Sequence, residues 1–145
     1  MNMHSNDYLR NQIATASREQ LLIMFYDGAI RFIGQAKQAM QSGDITGRNH
    51  GINKASAIIA ELAATLDHKI GGKIAEDLDA LYAYMLNELN IANIKNDVSR
   101  LEIVEDMLSG LRKTWMQAIQ IQRQEAHGVP AKAAPANHQP LSVAM

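Results

Sequence analysis

The chain has 145 residues, enough for one domain with a core of its own. Hydrophobic types make up 47% and charged types 20%, and 14 basic against 15 acidic side chains leave a net charge of -1, which argues against electrostatic nucleic-acid binding. The absence of cysteine excludes disulfides, thiolate metal sites and a cysteine nucleophile. No apolar run approaches the roughly 18 residues of a membrane span, and residues 1–7 are polar with no apolar signal region. The expectation is a cytosolic protein that neither binds nucleic acid nor inserts into a membrane.

In chain order, residues 1–16 come first, with Tyr8, Leu9 and Ile13 set among polar residues. This stretch is too short for an independent helix and reads as an N-terminal arm. Two readings stand for it: it packs over one end of the domain, or it moves over a binding groove. Ser17 with Gln20 three residues later forms a capping box, the start of a first helix whose apolar stripe is Leu22, Tyr26, Ala29, Ile33, Ala36 and Met40. Gly43 suits the left-handed end of that helix and Asp44 the cap of the next. The second stripe is Ile52, Ala55, Ile59, Leu62 and Leu66, after which Gly71 and Gly72 break the chain. The third stripe reads Ile74, Leu78, Leu81, Met85, Leu89 and Ala92. Asn96 or Asp97 then caps a fourth helix with Leu101, Val104, Leu108, Leu111, Trp115 and Ala118 inward. All three prolines fall at 130, 135 and 140, beyond this pattern, in a stretch rich in Ala, Asn and Gln. The expected organisation is therefore an arm (1–16), a bundle (17–127) and a disordered tail (128–145). Short connections force sequential helices to run antiparallel, so the fold class is an all-α, up-down four-helix bundle.

Catalytic chemistry is missing from the pattern. A di-metal site in a bundle uses Glu-x-x-His pairs, and none occurs. Of the five histidines, His50 sits near the start of the second helix and His68 near its end, where it suits the negative end of the dipole; both read as solvated polar groups. Gly71-Gly72 is not followed by the Lys-Ser/Thr of a phosphate loop. Acid pairs such as Glu76/Asp77 are consecutive and point in different directions on a helix. The expectation is no enzyme, no catalytic residue, no metal and no cofactor.

The helices carry more apolar residues than one stripe each requires. Leu21, Phe25 and Phe32 are offset from the first stripe, and Ile58, Tyr84, Ile91, Ile103 and Met107 extend the others. One reading is a wide core face. A second is an exposed groove that receives a partner helix, with Ile58 and Met107 mattering more to binding than to folding. A third is a stripe that pairs two copies of the chain. Gly28, Gly34 and Gly110 fall inside helices, where glycine is costly, and either permit close helix approach or are merely tolerated.

The run Tyr8-Leu9, Gln12-Ile13, Thr15-Ala16-Ser17, Glu19-Gln20-Leu21-Leu22 and Phe25-Tyr26-Asp27-Gly28-Ala29 resembles the N-terminal region of flagellin-specific export chaperones, the FliS family. The resemblance continues through Asn53-Lys54-Ala55, Ile58-Ile59, Leu66-Asp67, Gly71-Gly72, Leu81-Tyr82, Tyr84-Met85, Ala92-Asn93, Leu111-Arg112 and Trp115, covering about residues 6–120. Arg18 stands where the family usually has proline, a loss that should cost little at the first helical position. The resemblance implies a cytosolic chaperone that binds the C-terminal amphipathic region of flagellin, prevents premature polymerisation and hands it to the type III export apparatus, the export gate protein being a further partner. It also implies that the arm at Tyr8, Leu9 and Ile13 covers the groove or contacts the export machinery.

Overall fold

A computed structural model of the chain describes residues 17–126 and Gly128. The expected arm, and the expected tail beyond Gly128, lie outside the described residues. Four helices fill the described part: α1 (Arg18–Ser42), α2 (Ile45–Ala64), α3 (His68–Lys95) and α4 (Val98–Ala126). Each packs on the next, and α4 closes the ring against α1. With connections of two or three residues, neighbours run antiparallel, giving the up-down bundle that the stripes predict.

Local chemistry sets the helix ends. The Ser17 hydroxyl accepts from the Gln20 N–H, and the Gln20 side chain accepts from the Ser17 N–H, so two orphan donors are satisfied reciprocally. Gly43 takes the left-handed conformation at φ 74°, and the Asp44 carboxylate accepts from the Gly47 N–H. Asp67 caps α3 by accepting from the Ile70 N–H. Gly72, at φ 53° and ψ -124°, breaks α3 after its first turn, a conformation that only glycine adopts cheaply. The Gly71-Gly72 break therefore exists, but it lies inside α3 and not ahead of it. His68 accordingly opens α3 at the positive end of its dipole, correcting its expected place near a helix C-terminus. Asn96 ends α3 left-handed at φ 52°, and Asp97 caps α4 through the Ser99 N–H and hydroxyl.

The core largely follows the expected stripes on α1 and α2, with Met40 and Leu66 at half-buried edges. On α4 the upper stripe holds, but Leu111, Trp115 and Ala118 are half-buried and Ile119 is the buried residue of the last turns. On α3 the buried apolar side chains are Ala75, Leu78, Tyr82, Met85, Leu89 and Ala92, with Gly71 and Glu88 buried beside them. Ile74 and Leu81, expected inside, are 41% and 37% exposed. The reason lies in the core. The Tyr82 hydroxyl meets that of Tyr26 at 2.6 Å, and the Trp115 indole N–H donates to Tyr26 Oη at 3.0 Å. This chain ties α1, α3 and α4 together and rotates α3 so that position 82 faces inward.

Candidate partner-binding surface

The four seams of the bundle are held by different chemistry. Between α1 and α2, no side-chain hydrogen bond or ion pair crosses among the described residues; the helices instead approach closely. A Cβ built on Gly51 would lie 2.7 Å from the Phe32 carbonyl oxygen and 2.9 Å from Ala36, so only glycine fits. A Cβ on Gly28 would lie 3.3 Å from Ile58 Cδ1. Gly34 and Gly110 meet nothing comparable. Of the glycines singled out in the sequence, Gly28 thus permits close approach, while Gly51 is a further one that the stripes do not reveal.

The other seams are polar. Across α1–α4, Arg112 bonds Asp27, and Lys37 bonds Glu105 at 3.0 Å with Glu102 nearby, which holds the Lys37 ammonium above the usual lysine range. Across α2–α3, Arg48 donates to Asn93 and Asn96 at 3.1 and 2.8 Å. Across α3–α4, Arg100 donates to both oxygens of Glu88 at 3.1 and 3.0 Å. Glu88 is 6% exposed, so this pair is buried on the acid side. The Arg100 Nε also lies 3.3 Å from Asp97, but its proton is not aligned on the carboxylate.

The eight residues expected to line a partner groove divide between two of these seams. Leu21, Phe25 and Phe32 share the α1 face that contains Gly28, and Ile58 reaches Gly28 from α2. Leu21 and Phe25 line a hollow of about 200 Å³ with Leu62 and Thr65, and the His50 ring stands edge-on to Phe32 with centroids 6.0 Å apart. All four are half-buried. On α3, Tyr84 and Ile91 sit one turn either side of Glu88; on α4, Ile103 and Met107 follow Arg100 by one and two turns. The Glu88–Arg100 bridge therefore places these four along the α3–α4 seam. Tyr84 and Ile103 are 46% and 42% exposed, while Ile91 and Met107 are half-buried. The α1–α2 and α3–α4 seams lie on opposite sides of the ring, so the eight form two strips and not one groove. Tyr8, Leu9 and Ile13 lie outside the described residues.

Ile58 and Met107 also pack against the core, so each carries stability as well as surface. Ile74 and Leu81 lie on the same side of α3 as Tyr84 by helical spacing and lengthen the α3–α4 strip. No local signal places them outside, because the break at Gly72 leaves the phase of the following helix open and the stripes through Ile74 and Ala75 are both apolar.

None of the perturbed titratable groups points to a reaction. Burial raises the Tyr26 and Tyr82 pKa values, keeping both hydroxyls protonated inside the core. The Lys73 ammonium is raised by its bond to Asp77, and the Ser99 hydroxyl lowers Asp97 below the usual aspartate range. Each is explained by packing, a surface pair or a cap. Among the described residues, no group of three His, Asp or Glu side chains could hold a metal ion, and no helix is long and apolar enough to cross a membrane.

Comparison with known proteins adds to this surface. The sequence matches the family described as Flagellar protein FliS over residues 1–122. It is 39% identical over 121 residues to the Flagellar secretion chaperone FliS of Bacillus subtilis, covering 83% of this chain and 90% of that one. The proteins of the same name from Campylobacter jejuni and Salmonella typhimurium are 34% and 36% identical over 116 and 110 residues. These alignments cover 80% and 75% of this chain and 91% and 82% of the relatives.

Proposed function

The chain belongs to the FliS family of flagellar proteins, whose members are chaperones and not enzymes, and from that premise we propose that it is a cytosolic chaperone for flagellin. In this reading it holds the C-terminal amphipathic region of flagellin, prevents its premature polymerisation and delivers it to the flagellar type III export apparatus, the export gate protein being a contact at delivery. The observation that carries the reading is the apolar strip on the α3–α4 seam, where Ile74, Leu81, Tyr84 and Ile103 are all more than a third exposed. Such a strip on a surface without reactive groups fits the apolar face of a partner helix. A partner segment without structure of its own loses chain entropy on docking and offsets it by burying apolar area, so holding needs no nucleotide. The arm at residues 1–16 belongs to the same reading, as a cover for the groove that cargo displaces.

The test is a calorimetric titration of the full chain with the C-terminal segment of flagellin from the same source, at two temperatures. Saturable binding near one-to-one with a large negative heat-capacity change is expected. No heat, together with no complex on gel filtration, would overturn the reading.

A further inference from the structure

Besides the α3–α4 strip, α3 turns a broader face to solvent. Its buried apolar positions run from Ala75 to Ala92 in steps of three and four, which sets Ala80, Ala83, Tyr84, Asn87, Asn90 and Ile94 on the opposite side. All six are exposed. Between Ala80 and Ile94 the one charged residue is Glu88, and it is buried against Arg100. Roughly 22 Å of solvent-facing helix therefore presents no charge to water, in a chain where charged types make up 20%. Ala80, Ala83, Asn87, Asn90 and Ile94 recur at alternating steps of three and four, which is the repeat of a helix–helix seam, with Tyr84 beside them.

The stretch is complementary to itself. About Asn87 as centre, Ala80 and Ala83 on the N-terminal side balance Ile94 and half-buried Ile91 on the C-terminal side, and Tyr84 balances the smaller Asn90. A second α3 running antiparallel about a two-fold axis at Asn87 sets Ala80 against Ile94 of the other copy. It also sets Asn87 against its own counterpart, where two amides exchange hydrogen bonds. Charge agrees with this direction. Glu76 and Asp79 precede the stretch and Lys95 follows it, Lys73 being engaged by Asp77. Antiparallel pairing brings Lys95 toward Glu76 of the other copy, whereas parallel pairing brings acids together.

We propose that this face docks a second copy of the chain through an antiparallel, two-fold α3–α3 contact. A single helix pair of this length buries less than the about 1,200 Å² of a stable complex, so the association is weak and shows only at high protein concentration. Tyr84 and Ile91 also border the α3–α4 strip, so a second copy and a cargo helix exclude one another there. The pairing itself does not depend on what the cargo is.

Sedimentation equilibrium of the full chain from micromolar to near-millimolar concentration tests this without any cargo. The mass is expected to rise from monomer toward dimer. Asn87→Lys and Asn87→Asp each place like charges at the axis and should weaken association by more than about tenfold. An equimolar mixture of the two should recover it, because opposite charges then meet. Asn87 is exposed, so helicity by circular dichroism should be unchanged in both variants. Three results would each overturn the proposal: a wild-type monomer throughout the range, variants that associate like wild type, or a mixture that associates no better than its components.

Discussion

The α1–α2 and α3–α4 seams flank the same core and carry similar sets of surplus apolar side chains, yet they treat them differently. On α1–α2, Gly51 lets the backbones close and Gly28 leaves room for the Ile58 methyl, and Leu21, Phe25, Phe32 and Ile58 are drawn half into the seam. No polar bridge is needed there because the contact is made by shape. On α3–α4, the position between the helices is taken by Glu88 and Arg100, and Tyr84 and Ile103 remain outside it. Surplus hydrophobicity in a sequence therefore has two structural fates. A glycine on the facing helix converts it into core, and a buried ion pair leaves it as surface.

Substitutions that put charge or bulk into each seam should separate the two. The largest expected effect is from Ile58→Lys, which forces an ammonium over Gly28 and against the core, at a cost of roughly 3 kcal/mol in denaturant unfolding. Arg100→Ala should cost a comparable amount, about 3 kcal/mol, because Glu88 keeps its buried carboxylate without a partner. A near-neutral result for Arg100→Ala would mean that the α3–α4 seam does not rest on this pair.

Gly51→Ala sharpens the comparison through its sign. Helix propensity alone predicts a gain near 1 kcal/mol, whereas the close approach to Phe32 and Ala36 backbone atoms predicts a net loss of about 2 kcal/mol. Gly110→Ala on α4, where no atom lies within 4 Å of the built Cβ, should instead stabilise, by up to about 1 kcal/mol. Melting temperatures moving in opposite directions would bear out the account, and a stabilising Gly51→Ala would remove glycine from it.

The buried hydroxyl chain is the contact shared by both sides of the bundle. Tyr26→Phe strands the Trp115 N–H and the Tyr82 hydroxyl and should cost about 2 kcal/mol, against about 1 kcal/mol for Tyr82→Phe. Burial raises both tyrosine pKa values. The stability this represents is therefore complete below the ordinary tyrosine pKa of about 10 and lost as pH rises above it. Tyrosinate absorbance from these two residues should appear only together with loss of helicity in an alkaline titration. Full ionisation in a still-helical protein would contradict their buried, bonded placement. The smallest effect expected is from Tyr84→Lys, within about 0.5 kcal/mol of wild type.

Much of the fold was legible because its signals are local. The Ser17–Gln20 box, the Asp44 cap and the left-handed Gly43 each require only neighbours in sequence. The phase of α3 was not legible. Ile74-Leu78-Leu81-Met85 and Ala75-Leu78-Tyr82-Met85 are both apolar at helical spacing, and the choice is made by the Tyr26 hydroxyl, 56 positions away from Tyr82. Glu88 could not be read as buried, because its partner Arg100 lies on another helix. The surplus apolar residues were legible as a set, but their division into two strips depends on which helices adjoin, a property of the closed ring.

Binding of the flagellin C-terminal segment to the Tyr84→Lys variant, the Ile103→Lys variant and wild type in parallel, with melting temperatures recorded on the same samples, decides whether the α3–α4 strip is the docking surface. The account predicts one-to-one binding by wild type, at least about tenfold weaker binding by both variants, and melting temperatures unchanged in all three. Undiminished binding by both variants would contradict the assignment of the α3–α4 strip as the docking surface.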